Sequence, residues 1–227
     1  MIDLRTPLSL RTSFRFPLQS PLAQQEVFWG AALLVLLPGV GWLLNMGHRI
    51  MLVHHMLHGR PAWPAWRDPL GLLRHGAVTF AGMLYYYLPA GVLGVIAWRT
   101  GSVGWAAGAA TLGALATVAI PGYMTHYCVA FDPREIFDPV RALSRVRQGG
   151  AAYWRAWGIA LAALALSFAG LLAAGVGFLA TSVWFWQVAG FSFASVFARQ
   201  AGEHAAPGGG AAAPAAATAG PPAEAGA

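Results

Sequence analysis

The chain has 227 residues, of which 57% are hydrophobic and only 10% charged, and its mean hydropathy is +0.55. A soluble domain needs about a quarter charged residues to hydrate its surface, so this composition excludes a soluble globular protein and makes the lipid bilayer the main surroundings of the chain. All 14 basic residues are arginines, which give a net charge of +6 and lie between apolar runs; this pattern is typical of membrane-protein loops and excludes a nucleic-acid-binding protein.

Residues 1–26 form an N-terminal segment ahead of the first apolar run. Three arginines precede that run, but Pro17 and Pro21 interrupt the approach to it, and no A-x-A-like cleavage site follows. These features differ from those of a secretory signal peptide, so we expect the segment to be retained.

Residues 27–200 contain four long runs without charged side chains and are predicted to form one membrane-embedded domain. A membrane-crossing helix needs about 20 residues, so the second and third runs predict one helix each and the fourth predicts two. Small residues at 173–177 are expected to form the turn between those two. The prediction is an all-α, polytopic membrane bundle of about five apolar helical segments. The runs cover residues 27–48, 75–98, 100–131 and 156–198.

The first apolar run contains Pro38 and Gly39 at its middle, where proline removes a backbone donor and disrupts a helix. Two arrangements accommodate this break: a kinked helix that crosses the membrane, or a re-entrant hairpin that enters and leaves by the same face. A crossing helix puts 10 arginines on one side and 4 on the other, whereas a re-entrant hairpin gives 13 against 1. Because positively charged loops stay in the cytoplasm, this distribution favours the re-entrant hairpin.

Two amphipathic helices are predicted to lie at the membrane interface. The first covers residues 42–58, where polar and apolar side chains recur at helical spacing. The second begins with Asp138 as N-cap and Pro139 as first helical residue, and it ends at Gly149 and Gly150. The polar side chains of the first helix are Asn45, His48, Arg49 and His55.

Arginines and tryptophans near these helices predict contact with anionic lipid headgroups, since tryptophan is enriched at the headgroup level of membrane proteins. The residues predicted to form this lipid interface are Arg49, Arg60, Trp63, Trp66, Arg67, Arg141 and Arg145.

A GxxxG element in the third run joins Gly104 and Gly108. Small residues at this spacing let helices approach closely, so we predict helix packing there, within the bundle in preference to dimerisation.

No catalytic, cofactor-binding or metal-binding residue is predicted. His54 and His58 have the spacing of a metal pair, but no carboxylate or cysteine completes a site within their segment. The clustered acids Asp132, Glu135 and Asp138 are interpreted mainly as helix-capping residues. The apolar runs contain no Asp, Glu, Lys or Arg, which argues against proton-coupled transport and ion conduction.

Residues 201–227 consist almost entirely of alanine, glycine and proline. This composition cannot bury enough apolar surface to offset the entropy of ordering, so we predict a disordered tail on the cytoplasmic side.

The order of motifs in residues 37–93 is a glycine-rich apolar segment, a helix ending in a basic patch, a proline–tryptophan–acid turn and a glycine-led span. This order resembles the DUF 4013 family, prokaryotic membrane proteins of unknown function, and residues 130–157 are similar to the acidic–aromatic loop of that family. The chain departs from the family pattern near His48 and at His54 and His55. The resemblance covers about residues 26–200 and implies a multi-pass protein of the prokaryotic plasma membrane, with no activity attached. The matching positions are Gly41, Gly47, Arg49, Gly59, Pro64, Trp66, Asp68 and Gly76.

These observations favour a non-enzymatic membrane scaffold or accessory protein that contacts the bilayer, anionic lipid headgroups and other membrane proteins. The alternative is a small transporter or permease subunit for an uncharged or lipid-like substrate, for which an apolar cavity and a broken first helix suffice. A membrane-bound lipid enzyme is the third hypothesis. A cavity lined with polar groups would favour the transporter, and convergence of Asp132, Glu135 and the histidines in one cleft would favour the enzyme.

Overall fold

The computed structural model describes residues 2–172 and 175–205, and their regular secondary structure is all helical, with no strand in either range. Short 3-10 turns follow the first helix, at Phe16–Leu18, and the seventh, at Phe168–Leu172. The α-helices are α1 (Leu10–Arg15), α2 (Pro21–Leu36), α3 (Pro38–Leu57), α4 (Pro69–Thr100), α5 (Val103–Ala130), α6 (Arg134–Phe137), α7 (Pro139–Ser167) and α8 (Val176–Ala205).

Helices α2 and α3 form an antiparallel hairpin that breaks between Leu37 and Pro38. Leu37 leaves the helical conformation, with φ −137° and ψ 68°, and Pro38 is the first residue of α3, where its missing N–H costs no helical hydrogen bond. Away from the turn, Asn45 donates to the carbonyl of Gly30 at 3.0 Å. The first apolar run is therefore a hairpin in this structure and not a single kinked helix.

Helices α4 and α5 form the second hairpin, which turns at Gly101. Across it, the hydroxyls of Tyr87 and Thr117 lie 2.7 Å apart, and the ring of Tyr86 stacks on that of Tyr123. The half of the hairpin nearest the turn exposes apolar side chains, as expected for a surface that faces lipid. These are Leu88, Val92, Val95, Trp98, Val103 and Trp105.

Helices α7 and α8 form the third hairpin, as the fourth apolar run predicts. The hydroxyl of Thr181 donates to the carbonyl of Ser167, and Gly175 adopts a φ of +76° in the turn; residues 173–174 of the predicted turn lie outside the described residues. Asp138 caps α7 by accepting from the N–H of Arg141, and the left-handed φ of +51° at Gly150 kinks the helix. The predicted second amphipathic helix is thus the first part of α7.

Three helical segments are long and apolar enough to cross a membrane among the residues described, namely Pro69–Thr100, Val103–Ala130 and Pro139–Leu172. The all-helical class is confirmed, and the three segments are compatible with a membrane protein. Among the described residues, neither the α2–α3 hairpin nor α8 adds a crossing helix by this measure, so the predicted count of about five apolar segments is not confirmed.

Residues 42–57 belong to α3, with His58 as its C-cap residue, and do not form a separate surface helix. His48 is 1% exposed and Arg49 is 9% exposed, so the predicted polar face points into the protein. These side chains point inward because other helices supply their partners. Helix α2 supplies a carboxylate to His48, and α5 and α8 supply a thioether and an indole to Arg49.

The crossing of α3 and α4 is a direct contact between backbones. A Cβ added at Gly47 would overlap the carbonyl oxygen of Leu72, and one added at Gly76 would overlap that of Leu43. Such close approach is the packing that glycine allows in membrane helices.

The N-terminal segment packs against α8, the last helix of the described chain. Phe16 is fully buried, stacked on Phe191 at 4.4 Å, and Ser192 donates to Ser13. The described part of the N-terminal segment, residues 2–26, therefore packs onto the bundle. Helix α8 continues to Ala205, past the predicted boundary at 201, and residues 206–227 of the predicted tail lie outside the described residues.

Candidate functional site

A recess of about 440 Å³ lies beside the loop that joins α3 to α4, at the open ends of the α2–α3 and α4–α5 hairpins. Its charged lining comes from the loop and from the adjoining ends of these helices. It is lined by Arg60, Trp63, Arg67, Asp68, His55 and His75, among others.

The two arginines of this recess are exposed, and Asp68 lines the recess with them. The arginine–carboxylate ion pairs within the described residues involve Arg141 and Arg145, so neither Arg60 nor Arg67 forms an ion pair there. Trp63 is 4% exposed, and its indole N–H has no hydrogen-bond partner in the described part of the chain.

A buried hydrogen bond between Glu26 and His48 fastens the wall of this recess to α2. Glu26 lies 2.7 Å from His48 Nε2, and the N–H of Ala65 donates to the same carboxylate at 2.8 Å. The ring of Trp66 stacks on His48 at 4.3 Å. Glu26 thus holds α2, α3 and the loop together, and the pattern of apolar runs, which begins one residue later, gave no sign of it.

A second cavity, of about 320 Å³, lies between the α2–α3 and α7–α8 hairpins. Its walls are mostly apolar, with Trp42, Met83 and Phe178 among them, but several polar side chains line it as well. These are Asn45, His48, Arg49, Ser167, Ser182 and Gln187.

The residues predicted to contact lipid are divided between surface and interior. Arg60 and Arg67 are exposed and Trp66 is half-buried. In contrast, Arg49 and Trp63 lie inside the protein, because Arg49 packs over Trp186 and Trp63 packs on Phe16.

Arg141 and Arg145 converge on one acid. Both donate to Glu135, at 3.1 and 3.2 Å, and Asp132 accepts from the N–H of Arg134. Glu135 is therefore neutralised by two arginines, and Asp132 accepts from the local backbone.

The histidines near the end of α3 bind to backbone carbonyls. The Nδ1–H of His54 donates to the carbonyl of Cys128, and that of His58 donates to the carbonyl of His54. Burial lowers the pKa of His54, so this side chain adds no positive charge at neutral pH. No group of three His, Cys, Asp or Glu residues placed to hold a metal ion occurs in the part of the chain described.

The two glycines of the GxxxG element, Gly104 and Gly108, have different surroundings. A Cβ added at Gly108 would lie 3.2 Å from Leu93 of α4, whereas one at Gly104 would meet only Ser102, at 3.7 Å. Gly108 therefore packs inside the α4–α5 hairpin, and Gly104 faces outward.

Comparison of the chain with family models, curated proteins and solved structures finds no match.

Proposed function

We propose that this protein is a non-enzymatic membrane scaffold or accessory protein whose arginine-rich face binds anionic lipid and neighbouring membrane proteins. The observation that carries the proposal is the recess at the α3–α4 loop, where Arg60 and Arg67 are exposed without acidic partners beside a buried tryptophan N–H. Phosphate headgroups supply the acceptors and the charge that these donors lack, and a basic group near an anionic surface contributes about 1 kcal/mol each.

The proposed topology places this recess at the cytoplasmic face of a prokaryotic plasma membrane, with the α2–α3 hairpin re-entrant. The antiparallel packing of α2 on α3 supports it, because both ends of the hairpin then lie on one side, together with 13 of the arginines. Only Arg99 stands near the turn of the α4–α5 hairpin in the described chain.

The test is the thermal stability of the purified protein in a neutral detergent with added phosphatidylglycerol or phosphatidylcholine. A ligand that binds only the folded state raises the melting temperature. Two arginine contacts contribute about 2 kcal/mol, which corresponds to a rise of about 4–8 °C for a protein of this size. We expect phosphatidylglycerol to produce this rise in the unmodified protein and the Arg60→Gln/Arg67→Gln variant to lose most of it.

The charge-matched control is Arg5→Gln/Arg11→Gln, which removes two exposed arginines of the N-terminal segment, outside the recess. It should keep the response to phosphatidylglycerol. An equal response in both double variants, or an equal effect of phosphatidylcholine, would contradict the proposal.

A small transporter or permease subunit is the second candidate function. The cavity between the α2–α3 and α7–α8 hairpins favours it, since it combines apolar walls with polar side chains and lies against a broken helix. The enclosed Glu26 and Arg49 also weaken the argument that this protein lacks ionisable groups in its membrane domain.

A further inference from the structure

The cavity between the α2–α3 and α7–α8 hairpins contains a cation without a counter-ion. Arg49 of α3 lines this cavity and the adjoining smaller one of about 60 Å³, is 9% exposed, and has its guanidinium carbon 4.5 Å from the ring centroid of Trp186, which also lines both. Its one side-chain hydrogen bond in the described structure runs to the sulfur of Met124 at 3.2 Å, and no ion pair there includes it.

These contacts compensate a buried charge only in part. An arginine stays protonated in proteins, and a cation over an indole gains about 2 kcal/mol when it is desolvated, whereas burying an unpaired charge costs several kcal/mol. A thioether sulfur is a weak acceptor. The guanidinium of Arg49 can therefore still pair with an anion.

Gln187 on α8 supplies a second, independent observation. This side chain lines the same cavity and is 1% exposed, yet both its Oε1 and its Nε2 atoms lack a hydrogen-bond partner in the described structure. Leaving a buried polar group unpaired costs about 1–3 kcal/mol per group, so such a side chain calls for a partner that the protein does not provide. The amide Nε2 group can donate to an oxyanion, and Oε1 can accept from a hydroxyl or a water on the same headgroup.

The rest of the wall is apolar. Leu34, Met83 and Leu164 come from three different helices, and Phe178 and Leu179 come from the start of α8. A cavity of 320 Å³ falls at the lower end of the range of small-molecule sites, about 300–1,000 Å³. A free inorganic anion would leave this surface uncovered, whereas an apolar chain attached to the anion would cover it.

We propose that this cavity binds a single-chain amphiphile with an oxyanion headgroup, a carboxylate or a phosphate. Arg49 and the Nε2 group of Gln187 hold the headgroup, and the apolar wall formed by α2, α4, α7 and α8 holds the chain. This site is separate from the recess at the α3–α4 loop and goes beyond the proposed function, since it binds one molecule inside the bundle and not the membrane surface outside it.

The experiment measures equilibrium binding of radiolabelled dodecanoate to the full-length protein in a neutral detergent. Saturable binding of dodecanoate, displaced by the unlabelled compound, is expected, and its absence would overturn the proposal; the strength of competition by dodecyl phosphate then compares the two headgroups. Dodecanol has the chain without the charge and acetate has the charge without the chain. Both should compete at least tenfold more weakly. Dodecanol competing as well as the two anions, or acetate competing as well as dodecanoate, would overturn the proposal.

Two variants test the residues. Arg49→Gln should weaken the affinity for dodecanoate at least tenfold, while the matched variant Arg74→Gln, an exposed arginine of α4 outside the cavity, should leave it unchanged. Gln187→Met keeps the length of the side chain and removes the unpaired atoms. It should raise the melting temperature of the ligand-free protein and lower the affinity severalfold.

In Gln187→Met the melting temperature should rise while the affinity for dodecanoate falls. A purely structural role for Gln187 would not produce this combination, and the test does not depend on whether Arg49→Gln folds. Unchanged affinity in Gln187→Met would overturn the proposal. Retained dodecanoate binding in Arg60→Gln/Arg67→Gln shows that the cavity works independently of the lipid recess, and loss of binding there would contradict the separation of the two sites.

Discussion

Replacing Gly47 with alanine is expected to destabilise the protein by about 3 kcal/mol, which lowers the melting temperature by about 6–12 °C. In an unconstrained helix the same change stabilises by about 0.5–1 kcal/mol. Here the added methyl group would overlap the carbonyl oxygen of Leu72, and no side-chain rotation relieves an overlap with backbone, so α3 and α4 must move apart. The measurement is thermal unfolding of the purified protein in detergent.

The matched control is Gly91→Ala, which lies within α4 where an added Cβ meets nothing within 4 Å. It should leave the melting temperature unchanged or raise it slightly. If Gly47→Ala and Gly91→Ala have the same melting temperature, the close crossing of α3 and α4 is absent from the folded protein.

Replacing Glu26 with alanine is expected to destabilise the protein by about 2–6 kcal/mol, because it leaves two buried polar groups without a partner and each costs about 1–3 kcal/mol. The change leaves His48 without its partner, and the N–H of Ala65 loses the carboxylate that accepts its hydrogen bond. Because these two groups belong to α3 and to the loop after it, we expect both to loosen from α2. The melting temperature and the rate of limited proteolysis between residues 58 and 68 measure the two effects.

Two further variants make the comparison specific. Gln25→Ala changes the exposed neighbour of Glu26 and should have little effect on either measurement. Glu26→Gln keeps an oxygen that accepts from Ala65, so its effect should be intermediate. A melting temperature for Glu26→Ala as high as that for Gln25→Ala would show that the pair does not stabilise the hairpin.

The breaks in the fold could be predicted from sequence because backbone chemistry sets them locally. Pro38 begins α3, Asp138 caps α7, and Gly150 adopts a left-handed φ. Each of these features depends on one or two residues and their neighbours, which a single sequence shows directly.

The directions of the polar side chains could not be predicted in the same way. A helical wheel of residues 42–58 places His48 and Arg49 on a polar face, and the expectation that this face meets lipid headgroups assumed that no partner lies elsewhere in the chain. The partners are Glu26 on α2 and Trp186 on α8, and only the packing of the hairpins brings them there. The same packing buries Trp63 against Phe16.

The candidate sites differ in how far the sequence indicates them. Arg60 and Arg67 in a short loop between apolar runs already point to a charged face, and the structure adds the recess that they line. The sequence shows only that Gln187 is a polar residue inside a long apolar run. Such an amide cannot be told apart from any other buried polar residue until its neighbours are known.

The central claim is that the α2–α3 hairpin enters and leaves the membrane by the arginine-rich face. Single cysteines at the exposed positions Leu18, Pro61 and Thr100, in a Cys128→Ala background, test it by labelling intact cells with an impermeant thiol reagent. The first two flank the hairpin and the third lies at the turn between α4 and α5. We expect labelling at Thr100 and protection at both Leu18 and Pro61 until the cells are opened. Labelling at Leu18 together with protection at Pro61 would show that the first apolar run crosses the membrane, and would contradict the re-entrant hairpin.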